Sequence, residues 1–369
     1  MSAARRYLER YGAPEHREIP EPSGAYPAVL VVPCCAEPPD ALARTSAQLS
    51  TPTAIICVVN EPQGASARWS ATNRKFLEAM GPANQWLRLP GRTHEHGLLL
   101  VDRATRPLQR REGVGGARRI GADIAVAGIL NGWIESRWVH QTDADARLPA
   151  GYCEATAPLS GTALYPFKHT SPDPGLARKA WLYEQHMRLY REGLQRARSP
   201  YAHTALGSSM AMHIDTYVAV RGMPRRDGAE DFHYVNKAAK VADVHSLKAP
   251  VVELSARLSD RVPFGTGPAI AAIPENEALY LTFNPASFDS LAELLAWFGN
   301  GEGDPPATAA AIARPLGLAQ AVANLRRQHQ GRALTHALHI WFDGLKTLRF
   351  LRLARTVFPD VSLVDQVHD

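Results

Sequence analysis

Residues 140–149 read His-Gln-Thr-Asp-Ala-Asp-Ala-Arg-Leu-Pro, HQTDADARLP. The segment SRWVHQTDAD (136–145) predicts a strand that runs into an acidic pair, with Pro149 close behind. Asp143 and Asp145 alternate along an extended backbone, so both face one side if Ala144 faces the other. Carboxylate oxygens suit Mg2+ or Mn2+, whose shells are usually completed by substrate phosphates and water. Alone, an Asp-x-Asp triplet is a surface turn more often than a site, so its surroundings decide.

Upstream, AYPAVLVVP (25–33) and TAIICVVN (53–60) are short apolar runs of the kind that form buried strands, and GLLLVDR (97–103) is a third. Helix-favouring segments separate them, PPDALARTSAQLS (38–50) and GASARWSATNRKFLEAMG (64–81), and GVGGARRIGADIAVAGILNGW (113–133) precedes the acidic strand. This alternation predicts parallel strands joined by crossover helices. Ligands of such sheets bind at the carboxyl ends of the strands, which sets Cys34 to Glu37, Asn60-Glu61, Asp102 and Asp143/Asp145 along one edge. GTALYPF (161–167) is a candidate fifth strand.

Length and composition bound the function. The 369 residues suffice for one large domain with an appendage, or for two. A formal net charge of +5 suits an anionic substrate or a membrane surface, and no run of Lys and Arg interleaved with aromatics demands nucleic acid. Cys34, Cys35, Cys57 and Cys153 form no CxxC pair, which argues against a disulfide framework or zinc and for a reducing compartment. The start, MSAARRYLERYGAPEHREIPEP, lacks a signal-peptide core, and no apolar run reaches the roughly 18–20 residues of a membrane span. A cytoplasmic protein is expected, with peripheral membrane contact open.

Three divisions follow: an N-terminal extension (1–24), an α/β domain (25–267, in halves 25–150 and 151–267) and a helical C-terminal region (268–369). PGLARKAWLYEQHMRLYREGLQRAR (174–198) reads as a basic amphipathic helix. THALHIWFDGLKTLRFLRLARTVFP (335–359) is apolar almost all round and needs a covering surface: the core, a second copy or lipid. DGAEDFHYVNKAAKV (227–241) is a glycine turn leading into a helix that opens with acids, an arrangement the helix dipole favours by itself.

Taken in order, these pieces resemble the GT-A fold of the family 2 glycosyltransferases over roughly residues 25–245. The resemblance rests on VVPCCAEP, with Ala36 where Asn is common and Glu37 kept; on Ala117-Arg118-Arg119-Ile120-Gly121, with Arg119 in place of Asn; on Asp143-Ala144-Asp145; on Gly207-Ser208-Ser209 and Arg221-Gly222-Met223-Pro224; and on Glu230-Asp231-Phe232. It implies an α/β, Rossmann-like, mostly parallel sheet flanked by helices, a nucleotide-diphosphate-sugar donor and a divalent metal. It further implies donor contacts from Pro33, Glu37, Asn60, Arg118 and Asp143, a metal bound by Asp145 with Asp143, and an inverting reaction with Asp231 as base beside Glu230. Some GT-A enzymes add a late histidine to the metal, for which His245 is the candidate and His233 the second choice. Arg257 and Arg261, in ARLSDRVPFGTGPA (256–269), stand where the family often has a segment closing over the donor, and an arginine grips a diphosphate with two donors.

Each residue also has a plainer reading. Arg118 is a solvated helix arginine, Glu37 a helix-start carboxylate, Arg257 and Arg261 partners of Asp260, and each histidine a hydrogen-bonded surface or core group. Rival enzyme classes fare worse. No G-x-G-x-x-G follows the first strand, no P-loop is present, and the glycine-rich basic loop of a sugar-phosphate nucleotidyltransferase is missing. The second functional reading is a GT-A-like nucleotide-sugar-binding or scaffold protein without turnover. The acceptor, the sugar and the nucleotide are not readable.

Overall fold

The computed structural model describes residues 2–259, 265–300 and 303–367. They divide into two units, Met1–Ala180 with Ala205–Ala271, and Trp181–Thr204 with Ala272–Asp369. In chain order the first unit holds α1 (Ala3–Tyr11), β1 (Ala28–Cys34), α2 (Ala41–Ser46), β2 (Thr53–Pro62), α3 (Ala67–Met80), β3 (Trp86–Pro90), β4 (Glu95–Leu108), α4 (Gly113–Asn131), β5 (Trp138–Gln141), β6 (Thr162–Leu164) and β7 (Phe167–Thr170). Helix α5 (Pro174–Arg196) carries the chain into the second unit. The first unit then continues with β8 (Met210–His213), α6 (Ile214–Ala219), α7 (Glu230–Ala238), β9 (Val244–Ser246), β10 (Val252–Ser255) and α8 (Thr266–Ala271).

Among the described residues, eight strands form one sheet in the order β3-β4-β2-β1-β5-β8-β6-β9. Neighbours β4, β2, β1 and β5 are all parallel, while β3, β8 and β6 supply the antiparallel pairings. The mostly parallel α/β sheet flanked by helices is the architecture the sequence leads one to expect. Strands β1 and β2 are buried along almost their whole length, which is why they read as unbroken apolar runs rather than alternating ones. Val29 and Val31 point into one core with α4, while Leu30, Val32 and Cys34 point into the other, with Leu42 and Phe76. Helix α4 lies so close to β1 that a Cβ on Gly121 would stand 2.4 Å from Val31 Cγ1, so only glycine fits there.

Pro33 sits inside β1, a central strand, where proline is normally excluded. The Val31 carbonyl accepts from Thr142 N–H on the β5 side. Two residues on, the Pro33 nitrogen faces that same side, beyond the last paired residue of β5, Gln141. No ladder bond is lost, and the strand continues to Cys34, paired with Val59.

Residues 1–24, expected as an extension, contribute to the core. Tyr7 and Leu8 of α1 pack with the α4 side of the sheet. Fully buried Asp123 of α4 accepts from Tyr7 OH at 2.7 Å, Tyr217 OH at 2.7 Å and Ala13 N–H at 2.8 Å, with Arg119 Nε 3.5 Å away. Burial raises the Asp123 carboxyl; Arg119 and the three donors oppose that rise.

The second unit is built on the later part of α5 together with β11 (Leu281–Thr282), α9 (Pro285–Asn300), α10 (Ala307–Ala313), α11 (Leu318–Gln328), α12 (Gly331–Trp341), α13 (Gly344–Ala354) and β12 (Val361–Ser362). The helical region expected from 268 thus begins at 272 and also takes in 181–204. The stretch 335–359 is two helices, broken at Phe342-Asp343, where the Asp343 side chain accepts from Lys346 N–H and starts α13. Its apolar residues Leu338, Phe342, Phe350 and Leu351 lie in the core of this unit, which accounts for most of the all-round hydrophobicity.

Removing a buried, paired carboxylate leaves its partners unsatisfied. Asp123→Ala is therefore expected to destabilise the protein by about 3–5 kcal/mol in urea unfolding. A loss below about 1 kcal/mol would mean that the α1–α4–α6 junction does not depend on this carboxylate.

Candidate active site

The chain builds β1, β2 and β4 outward in one direction, then returns to lay β5 on the other side of β1. Strand order therefore reverses between β1 and β5, the place where open α/β sheets receive ligands. Register brings Cys34, Val59 and Asp102 level, so the loops after β1 and β2 open at the same end as Thr142–Asp145 after β5.

Beyond β5 the chain does not stay extended as expected but turns, Ala146 N–H donating to the Asp143 carbonyl at 3.1 Å. Ala144 and Ala146 are buried, while the side chains of Asp143 and Asp145 keep 43 % and 23 % of their surface exposed. Two arginines meet them. Arg118 of α4 is almost wholly buried; its Nη2 lies 2.5 Å from Asp143 Oδ1, its Nε 3.0 Å from Glu230 Oε1, and its Nη1 donates to the Thr142 carbonyl at 3.4 Å. Burial alone would lower the Arg118 pKa; Asp143, Glu230 and Asp231 raise it overall, so the guanidinium stays charged. Arg257, two residues past β10, pairs with Glu37 and lies 2.8 Å from Asp145 Oδ2.

The loop before β8 closes the first cluster. Gly207 N–H donates to Asp231 Oδ2 at 2.8 Å, and Thr142 Oγ1 donates to the Ser208 carbonyl at 2.9 Å. A Cβ on Gly207 would stand 2.7 Å from the Arg118 guanidinium carbon, so this glycine leaves room for the buried cation. Asp231 Oδ1 also accepts from Phe232 N–H at 2.6 Å. Burial raises the Asp231 carboxyl, against the pull of those N–H donors and Arg118. Burial, with the neighbouring Asp231 charge, lifts Glu230 to about 7, and Arg118 opposes the rise.

Two alanines carry strained backbone here. Ala36 (φ 53°) precedes Glu37, and Ala229 (φ 56°) precedes Glu230. Left-handed backbone is costly for residues with a Cβ and concentrates where function fixes a side chain. Ala36 stands where the family resemblance has Asn, which adopts that conformation more readily.

The structure thus joins Glu37, Arg257 and Asp145 in one cluster, and Asp143, Arg118, Glu230 and Asp231 in another. Asn60 is buried at the end of β2, its carbonyl 3.4 Å from Asn73 Nδ2. Pro33 lies in β1 four residues before Glu37. Asp102 folds onto its own strand, accepting from Ala104 N–H, Thr105 N–H and Thr105 Oγ1. His245 is on the edge strand β9, its Nε2 2.8 Å from the Ser160 carbonyl and three strands from β5, about 14 Å at ordinary strand spacing. His233 is on α7, its ring against Phe232. Arg261 lies outside the described residues. Arg119, the departure from Asn, donates to the Arg221, Met223 and Tyr11 carbonyls and so ties α1 to the turn at 221–224.

Asn73 escapes the sequence reading. Fully buried on α3, it accepts from Ala36 N–H at 2.7 Å and donates to Glu61 Oε2 at 3.2 Å, holding the loops after β1 and β2 together. The available signal is an Asn three residues before Phe76, on the apolar side of a helix.

Two carboxylates on one turn fit a hard divalent cation, which takes one or two of them and completes its shell from phosphates and water. Among the described residues, no three His, Cys, Asp or Glu side chains gather in an arrangement able to hold a metal alone.

No protein-family model matches the chain, and no curated protein matches it by sequence. Solved structures are similar in chain trace. TarS residues 1–349 from S. aureus, in complex with UDP-GlcNAc, is 12 % identical with TM-score 0.39, covering 89 % of this chain and 91 % of that one. Mannosyltransferase PcManGT from Pyrobaculum calidifontis, in complex with GDP-Man and Mn2+, is 17 % identical with TM-score 0.36, covering 96 % and 91 %.

Glu230 gives a pH prediction. Its folded pKa, about 7, stands above the ordinary 4.5, so the folded state binds this proton more tightly than the unfolded chain. Its contribution to stability is complete below about pH 4.5 and is lost as pH rises through 7. Carboxyl 13C NMR should give Glu230 a midpoint near 7; a midpoint in the ordinary glutamate range would remove the burial argument.

Proposed function

We propose that the protein is a GT-A-type glycosyltransferase that moves a sugar from a nucleotide-diphosphate sugar to an acceptor hydroxyl. The observation that carries this reading is the meeting, at the strand-order reversal, of Asp143 with Arg118, Glu230 and Asp231 and of Asp145 with Arg257 and Glu37. The motif order in the sequence supports it independently.

In this reading the donor lies across the carboxyl ends of β1 and β5, with Glu37 and Asn60 toward the nucleoside and Arg118 holding Asp143 in place. Asp143 and Asp145 hold a Mg2+ or Mn2+ ion, which when bound neutralises the diphosphate as leaving group. Asp231 accepts the proton of the acceptor hydroxyl as that oxygen attacks the anomeric carbon from the face opposite the diphosphate, inverting the centre. Its carboxylate is fixed by Gly207 N–H and Phe232 N–H, so it needs little reorganisation, and its raised pKa makes it a stronger base than an ordinary aspartate. Glu230, with its pKa raised to about 7, is only partly ionised beside Asp231 at neutral pH. Arg261 is assigned to phosphate by resemblance alone; the late histidine that the resemblance offers for the metal, His245, lies about 14 Å from β5 at ordinary strand spacing and is not given that role.

The two carboxylate roles separate experimentally. Asp145→Ala should abolish Mn2+-dependent binding of a nucleotide sugar in calorimetry. Asp231→Asn should retain that binding and lose transfer by about 100-fold or more. Unchanged binding in the first variant, or near-normal transfer in the second, would refute the respective role.

A membrane surface is the partner we assign to the C-terminal helices. Residues 314–357 carry eight Lys and Arg and a single carboxylate, Asp343, which caps α13. Exposed Ile340 and Val357 add apolar contact, and no helix of the described residues is long and apolar enough to cross a membrane. Vesicles of anionic phospholipid should co-sediment the protein at low salt and release it at high salt; no sedimentation at low salt would overturn this.

A further inference from the structure

We infer that Arg257 is an internal counter-ion that a divalent cation must displace from Asp145, so that cation and donor enter the site together. The inference rests on the glycosyl-transfer reading above and deepens it.

Backbone geometry fixes where Arg257 stands. Arg147 and Glu253 exchange backbone hydrogen bonds of 2.8 and 3.1 Å, which tie the chain just after Asp145 to β10. On its other side β10 pairs in parallel with β7 as far as Ser255–Thr170, and Ala256 N–H donates to the Thr170 carbonyl at 2.8 Å. Arg257 is the next residue. Its side chain is only 36 % exposed and its Nη2 meets both Glu37, from the loop after β1, and Asp145, from the loop after β5. The guanidinium therefore spans the reversal between β1 and β5, the crevice a diphosphate would occupy.

Charge makes this contact a competition. Among the described residues, the two clusters bring Glu37, Asp143, Asp145, Glu230 and Asp231 together with the guanidinium groups of Arg118 and Arg257. Arg118 is almost wholly buried and held by Asp143 and Glu230. Arg257 is the more exposed of the two, on a side chain long enough to turn toward a phosphate, which an arginine binds bidentately as well as it binds a carboxylate. A cation arriving alone must remove Arg257 from Asp145 and leave it without that partner. Arriving with a diphosphate, it takes the carboxylate while the phosphate takes the arginine. The protein should therefore bind a cation weakly by itself and more tightly with a nucleoside diphosphate, the coupling acting equally in both directions.

The test is Mn2+ binding followed by the EPR signal of free Mn2+, with and without a saturating nucleoside diphosphate chosen from UDP, GDP, ADP and CDP, each titration corrected by a protein-free control for the Mn2+ that the nucleotide itself chelates. Wild-type protein should bind Mn2+ at least about five-fold more tightly when the nucleotide is present. In Arg257→Gln, Mn2+ alone should bind several-fold more tightly than to wild type, and the nucleotide effect should shrink toward unity. Glu37→Gln, which leaves Arg257 to Asp145 and removes a negative charge, should instead weaken binding of Mn2+ alone; circular dichroism checks that both variants are folded. If folded Arg257→Gln binds Mn2+ alone no better than wild type does, Arg257 is not the competing ion and the inference fails while the functional reading stands. If wild type and variants bind neither Mn2+ nor any of the four nucleotides, the functional reading fails and takes this inference with it.

Discussion

A guanidinium buried between carboxylates organises the candidate site. Arg118 leaves water almost completely, and desolvating a cation costs several kcal/mol unless its donors are used. Here they are: Nε meets Glu230, Nη2 meets Asp143 and Nη1 meets the Thr142 carbonyl. The demand passes outward. The carboxylates come from the end of β5 and the first turn of α7, so both must be placed accurately for the cation to be tolerated. Gly207 must lack a side chain beside the guanidinium, and its N–H in turn holds Asp231. One buried charge thereby couples α4, β5, the loop before β8 and α7, elements separated by up to 112 residues along the chain.

The same coupling explains which features are legible in the sequence. Strands β1 and β2 announce themselves because both faces are covered, and a doubly buried strand has no polar face to interrupt its apolar run. The exposure of Asp143 and Asp145 around a buried Ala144 is legible because it is local, although the chain there turns where an extended segment is expected. Legibility ends where a polar residue's partner is remote. Nothing near Asp123 in sequence announces that Tyr7, Ala13 and Tyr217 will surround it, so α1 reads as an extension although two of those partners come from the N-terminal segment. Arg119 reads as a departure from a motif, yet its guanidinium reaches carbonyls at 11, 221 and 223. Asn73 lies on a helix whose amphipathic pattern is plain, but its role depends on two loops that converge only once the sheet has formed.

Strain fits the same picture. The left-handed alanines, Ala36 and Ala229, each stand immediately before an acidic residue of the site. Such backbone persists only where surrounding structure fixes it. At Ala36 that structure is visible: its N–H is held by Asn73, and the next residue, Glu37, is paired with Arg257. At Ala229 the next residue enters the Arg118 ion pairs. In both places the local chain conformation gives way to the geometry of a buried charge.

The position of these charges follows from the order of the strands. Had the chain continued outward after β4, the loops of β1 and β5 would not be neighbours, and Glu37 and Asp145 would have no common partner. By returning past β1, the chain sets two acidic loops on either side of the reversal in strand order. Facing carboxylates repel, and the protein answers with one arginine fixed in the core and another on a short segment past β10. The first ties α4 to the end of β5 and the start of α7. The second is more exposed and held between two loops, and that difference in burial is the ground on which the proposed exchange of one anion for another rests.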